Sequence, residues 1–251
     1  MTPSAHIRYV LRLADTSLVL GQRLGEWVGH APALEEDLGL ANLSLDLIGQ
    51  ARLLLTYAAE LEGRGRNEDD FAMSRDQSDY LNLALVEQLN GDFGRTIVRQ
   101  FLLDAFQMEL YEALQHSKDA RLAEIAARAS KETRYHLRYS SSWLVRLGDG
   151  TEESHRRVQE ALDDLWRFTR EFFAADEVDE EMARAGIAPS LSELEPRWSA
   201  RVDEVLNEAT LKRPANIRYK WHGKRGEHTE HLGYLLAQMQ FLHRAYPGAS
   251  W

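Results

Sequence analysis

The chain contains no cysteine in 251 residues. Disulfides, cysteine-bound zinc and iron–sulfur ligation are excluded on that ground, and a reducing cytoplasm is the expected compartment. Proline is also scarce, with six in the chain, so helices can run long before a ring interrupts them. A basic excess is missing: 30 Lys and Arg face 40 Asp and Glu, for a net charge of −10. No nucleic-acid partner is expected of such a surface. No uninterrupted apolar run approaches the ~20 residues of a membrane span, so no membrane association is expected either. The opening residues, Met1 to His6, lack the charged-then-apolar plan of a signal peptide. What remains is 44% hydrophobic and 28% charged, a balance that lets a chain of this length bury a sizeable core.

Apolar residues recur at helical spacing through the proline-free stretches. A first helix is expected from about Ser4 to Gly29 and a second from about Ala33 to Glu62, the latter apolar on more than one side and therefore buried. Glu68 to Ser74 reads as loop and Gln77 to Gln88 as a short helix. Asp92 is placed to cap a third long helix reaching about His116. A fourth runs from about Asp119 to Leu147, stopped by Gly148-Asp-Gly150, and Thr151 caps a fifth to about Ala175. Ser190-Leu-Ser-Glu193 has the capping-box pattern and opens a helix to about Glu208. The stretch Thr210 to Arg225 is basic and irregular, and a last helix covers Glu227 to Arg244. No strand, repeat or linker stands out. The expected architecture is a single all-α domain over residues 1–251, built on a long-helix bundle.

Four of these helices each set a carboxylate into an apolar face: Glu26, Asp46, Asp104 and Glu132. Asp104 lies in the stripe Ile97, Phe101, Met108, Tyr111; Glu132 lies in the stripe Leu122, Ile125, Ala129, His136, Tyr139, Trp143. An ionised carboxylate in an apolar interior needs a metal, a cation or hydrogen-bond donors. Di-iron helix bundles take one Glu from each of two helices and a Glu-x-x-His pair from each of two others. Here the two pairs read Asp46-Leu-Ile-Gly49 and Glu132-Thr-Arg-Tyr135, without histidine at the third step. His136, four residues after Glu132, could share a ligand with it or bond it directly. Arg23, Arg52, Arg99 and Arg138 lie close enough along these helices to act as counter-charges instead of a metal. A metal-binding oxidase or monooxygenase using Glu26, Asp46, Asp104, Glu132 and His136 is the enzymatic alternative.

A second constellation is Glu227-His228-Thr229-Glu230-His231. His228 and His231 are three apart, without the H-E-x-x-H spacing of metalloproteases, and fit a cap or a contact with another chain better than a metal. The preceding Lys220-Trp-His-Gly-Lys-Arg225 is the most basic segment and could meet an anionic ligand or an acidic surface.

Longer segments carry more information. Gly21-Gln-Arg-Leu-Gly-Glu-Trp-Val-Gly-His-Ala-Pro32, Leu45-Asp-Leu-Ile-Gly-Gln-Ala-Arg52, Val86-Glu-Gln-Leu-Asn-Gly91 and Arg134-Tyr-His-Leu-Arg138 closely resemble the PaaC-type subunits of bacterial phenylacetyl-CoA monooxygenase (1,2-epoxidase) complexes. So do Leu165-Trp-Arg-Phe-Thr169, Asn207-Glu-Ala-Thr-Leu211 and His228-Thr-Glu-His-Leu-Gly233, and the likeness runs on to Trp251. The resemblance implies a ferritin-like bundle with additional C-terminal helices and a non-catalytic, structural role in aerobic phenylacetate breakdown. It implies a hetero-oligomer with a di-iron catalytic subunit, a reductase carrying flavin and an iron–sulfur cluster, and a small accessory subunit. No cofactor and no catalytic residue are expected in this chain. Glu26, Asp46, Gly49, Asp104, Glu132, Tyr135 and His136 would then line a remnant of the metal pocket. Trp27, His30, Lys220, Lys224, Arg225, His228 and His231 are the candidates for the partner face.

Overall fold

The computed structural model describes residues 3–215 and 222–249. In chain order the helices are α1 (Ala5–Gly25), α2 (Leu34–Glu62), α3 (Glu68–Met73), α4 (Phe93–Leu114), α5 (Ala120–Gly148), α6 (Glu152–Leu165), α7 (Arg170–Phe173), α8 (Glu177–Ala185), α9 (Leu191–Glu208), α10 (Glu230–Met239) and α11 (Phe241–Ala245). The fold is all-α and consistent with a ferritin-like helical bundle; among the described residues the only extended pairing is an isolated bridge, His222 to Glu227. The chain groups into two compact units, Met1–Leu89 with Trp221–Trp251, and Asn90–Lys220.

The first unit is built on α1 against α2. Small residues let the two helices approach: Gly21 lies where a Cβ would meet Ile48 Cγ1 at 3.0 Å and the Ser44 carbonyl at 3.2 Å. Ser44 Oγ donates to the Gly21 carbonyl at 2.7 Å. α1 stops at Gly25, four residues short of the expected end, and Trp27, Val28 and His30 follow in a chain of i→i+3 bonds. Gly29, at φ +82°, cannot continue a right-handed helix. By length and composition alone α2 is apolar enough to cross a bilayer, yet it is interrupted by Asp46 and Arg52 and runs against α1 with Leu40, Leu43, Leu47 and Leu54 fully buried.

Three local expectations fail here. Glu68 to Ser74 is not loop but α3, opened by a reciprocal capping box between Asn67 and Asp70. Gln77 to Gln88 is not one helix: two 3₁₀ turns flank extended Tyr80–Leu83, because α1 side chains capture that backbone. Asp15 accepts from Leu81 N at 2.9 Å and Thr16 Oγ1 from Leu83 N at 3.2 Å. The last expected helix splits into α10 and α11 at Gln240, whose amide donates to the Ala72 and Arg75 carbonyls at 3.1 Å each. Lys220 lies outside the described residues.

The second unit pairs α4 with α5. α4 is buried on nearly all sides, and Asp92 and Asp119 cap α4 and α5 through Arg95 N and Leu122 N. The expected fifth helix breaks into α6, a 3₁₀ turn over Trp166–Thr169 and α7, and α8 follows behind an Asp176 cap. Thr151 caps α6 as expected. At Ser190 the helix starts where expected, but the capping box does not form, and Ser190 Oγ meets Ser192 Oγ instead.

Gly148 ends α5, yet its role is space rather than a left-handed turn. A Cβ there would lie 2.3 Å from the Ala209 carbonyl oxygen and 2.9 Å from Ala209 Cβ. Its own carbonyl accepts from Thr210 Oγ1 at 3.2 Å. Gly148→Ala is therefore expected to destabilise the chain by about 1–3 kcal/mol through overpacking, read as a lowered urea midpoint; an unchanged midpoint would show that the α5 and α9 ends separate freely.

Candidate functional site

In the second unit Asp104 points into the interior with no solvent exposure. Its Oδ1 accepts from Gln100 Nε2 at 2.7 Å and its Oδ2 from Ser140 Oγ at 2.8 Å. Burial pushes its carboxyl up to about 6, partly offset by the nearby His136 and by the Ser140 and Gln100 hydrogen bonds. His136, expected on the same apolar stripe as Glu132, is fully buried on α5. The buried face of that helix centres on Ala129, Thr133, His136 and Ser140. This leaves Glu132 at its flank, paired with Arg128 at 3.2 Å. Tyr135 projects outward, 43% exposed, with the Arg138 guanidinium 5.5 Å from its ring centroid.

In the first unit Glu26 caps the C-terminus of α1 at the surface instead of facing inward. Its Oε1 pairs with Arg23 Nη1 at 2.8 Å, so Arg23 is a counter-charge as the sequence suggests. Arg52 serves Glu68 and not Asp46; in the second unit Arg99 bonds Asn90 Oδ1 at 2.7 Å. Asp46 and Gly49 are half-buried on α2, and a Cβ at Gly49 would meet nothing within 4 Å.

A set of two irons does not fit these residues. Glycine offers no ligand at position 49, Tyr135 faces away, Glu26 sits beyond its helix beside an arginine, and both Asp104 oxygens are engaged. Among the described residues no three His, Asp or Glu side chains are grouped to hold a metal ion.

A second buried centre, in the first unit, has no counterpart among the sequence expectations. Glu87 is fully buried and accepts four hydrogen bonds: Oε1 from Asn82 Nδ2 at 3.0 Å and His228 Nδ1 at 2.5 Å, Oε2 from Thr229 N at 2.8 Å and Thr229 Oγ1 at 2.6 Å. The other His228 nitrogen, Nε2, lies 2.8 Å from the Tyr80 carbonyl. Both ring nitrogens thus face oxygens; with Glu87 as the carboxylate that accepts all four bonds, the ring donates from both nitrogens as an imidazolium, and the two charges balance. Arg23 donates to the Glu87 and His231 carbonyls from the α1 side.

His228, expected on a partner face, is thus an interior residue with no side-chain exposure. Lys224 is likewise buried, its carbonyl accepting from Arg12 Nε at 3.2 Å. His30 and Arg225 are exposed, and Trp27 and His231 are half-buried. The signal that could have found this centre is Glu87 itself, a carboxylate closing the apolar run Leu83-Ala-Leu-Val86.

An all-α chain of long helices, with buried carboxylates and no ligand set grouped among its described residues, is a helical-bundle protein whose interior is organised by hydrogen bonds. It belongs to the phenylacetic acid catabolic protein family, which it matches across residues 1–251. It is also 54% identical to the C component of the 1,2-phenylacetyl-CoA epoxidase of Escherichia coli (strain K12), over 243 residues covering 97% of this chain and 98% of that protein.

Proposed function

We propose that the chain is a structural, non-catalytic subunit of a cytoplasmic phenylacetyl-CoA 1,2-epoxidase, pairing with a di-iron catalytic subunit and supporting it. The observation that carries this reading is the outward turn of Tyr135 beside an inward, hydrogen-bonded Asp104. The position that would bear a histidine ligand is at the surface, the carboxylate it would accompany, Glu132, pairs with Arg128, and Asp104 is satisfied by Gln100 and Ser140. The identity with the Escherichia coli epoxidase component supports the same assignment. A bundle that activates oxygen must hold its ligands within fractions of an ångström, and packing from a second bundle supplies that rigidity.

The partner face is assigned to α2 and the turn before it. Leu34, Leu38 and Leu45 are 59–71% exposed along one side of α2, and Val28 is 61% exposed in the turn that also carries Trp27 and His30. Obligate interfaces bury roughly 2,000 Å² or more and are rich in such residues.

Two measurements test the proposal. Leu38→Asp/Leu45→Asp is expected to lower recovery of the co-expressed catalytic subunit about tenfold or more, with an unchanged melting temperature; full recovery would move the interface elsewhere. The chain purified alone is expected to hold under about a tenth of an equivalent of iron. About one to two equivalents, lost in Asp46→Ala/Glu132→Ala, would instead make it a metalloprotein.

A further inference from the structure

On this acidic chain, the exposed side of α5 is cationic. Between positions 128 and 146 the helix carries Arg128, Lys131, Arg134, Arg138 and Arg146 against a single carboxylate, Glu132. Arg128, Lys131, Tyr135, Arg138, Ser142 and Arg146 recur at steps of three and four, so they fall within about a quarter of the helix circumference and along about 27 Å of its length. All six are exposed.

Arginines elsewhere on the described surface are mostly matched: Arg156 and Arg157 by Glu153, Arg66 by Glu62, Arg197 by Glu109. On the stripe, Arg128 and Arg134 have carboxylate partners, Glu132 at 3.2 Å and Glu112 at 3.7 Å. Lys131, Arg138 and Arg146 have none among the described residues. Two of these three are nevertheless positioned. Arg138 lies 5.5 Å from the centroid of Tyr135 and Arg146 lies 5.3 Å from that of Trp143. A guanidinium held over a ring has less freedom to lose on binding.

We propose that this face of α5 docks an acidic surface of another protein, a carboxylate-lined helix or edge of similar length. Guanidiniums match carboxylates in bidentate pairs, and on a chain of net charge −10 this stripe draws in an acidic partner that an acidic surface would repel. Nucleic acid fits less well. Its charge density calls for many phosphate contacts, and Arg138 already covers the Tyr135 ring that would otherwise stack on a base. The apolar face of α2 calls for a partner of different chemistry, so the two surfaces stand or fall separately.

The test uses the full-length chain and a fluorescent helical peptide with glutamates along one face, at about physiological ionic strength. Lys131→Glu/Arg138→Glu/Arg146→Glu is expected to weaken peptide binding about tenfold or more. The corresponding Gln triple should weaken it less, and Arg64→Glu/Arg170→Glu/Lys212→Glu, the same charge change away from the stripe, should leave it nearly unchanged. Circular dichroism and melting confirm that each variant is folded; should the Glu triple not fold, the Gln triple alone decides. Equal losses in stripe and control variants would overturn the proposal by reducing it to net charge. So would absence of peptide binding, or tighter stripe-dependent binding of a duplex oligonucleotide or phosphatidylserine vesicles.

Discussion

Replacing Glu87 with alanine is expected to cost about 3–5 kcal/mol, the penalty for breaking a fully buried ion pair by removing one partner. Against the 5–15 kcal/mol that holds most domains together, that approaches the whole stability of the unit. The loss has identifiable parts. His228 keeps a charge with no counter-charge, and the Thr229 amide, Thr229 hydroxyl and Asn82 amide each lose an acceptor. Guanidinium denaturation gives the magnitude, and hydrogen exchange gives the location: amides of α10 should exchange fastest relative to the native chain. Glu87→Gln keeps the shape and one acceptor oxygen and should fall between the two. A loss below about 1 kcal/mol for the alanine variant, in the range of a surface pair, would mean that the pair does not anchor the C-terminal helices.

The second large effect has the opposite sign at neutral pH. Asp104 ionises at about 6 in the folded chain against 3.8 when unperturbed. The folded state therefore binds this proton more tightly than the unfolded state does. Its contribution to stability is full below about pH 4, declines as pH rises to about 6, and stays depressed above that. At about 1.4 kcal/mol for each pKa unit, the shift corresponds to roughly 3 kcal/mol for this fully buried group. Asp104→Asn removes the charge and keeps the shape. Ser140 Oγ can accept as well as donate, and Gln100 Oε1, which has no hydrogen-bond partner, is available to the new amide. The variant should thus be more stable than the native chain at pH 7.5, by up to about 3 kcal/mol, and should converge with it near pH 4. Urea midpoints at the two pH values decide. A variant less stable at pH 7.5 would show that the carboxylate form is what this interior is built for.

Much of the architecture is readable because it is local. Asp92, Asp119 and Thr151 announce their helices, and period alone places Asp104 inward on α4. Failures come where distant groups override local preference. Tyr80 to Leu83 reads as helix but is held extended by Asp15 and Thr16, residues more than sixty positions away. Glu132 is drawn inward by a stripe that fits its helix nearly as well as the true one, whose centre lies at Thr133 and Ser140. The Glu87–His228 pair is illegible for the same reason, since nothing near either residue specifies the other. Lys224 and His228 look like a surface segment because basic and imidazole groups usually are one.

The closure of the first unit by residues from both ends of the chain also bears on synthesis. Glu87 leaves the ribosome 141 residues ahead of His228; at about 5–20 residues per second, it waits on the order of ten seconds for its counter-charge. Residues 90–220 are all made within that interval. The nascent N-terminal helices thus hold an unmatched carboxylate until residue 228 has been made. A ribosome stalled short of codon 228 would display an unfinished unit, and that is the stage at which a chaperone has most to protect.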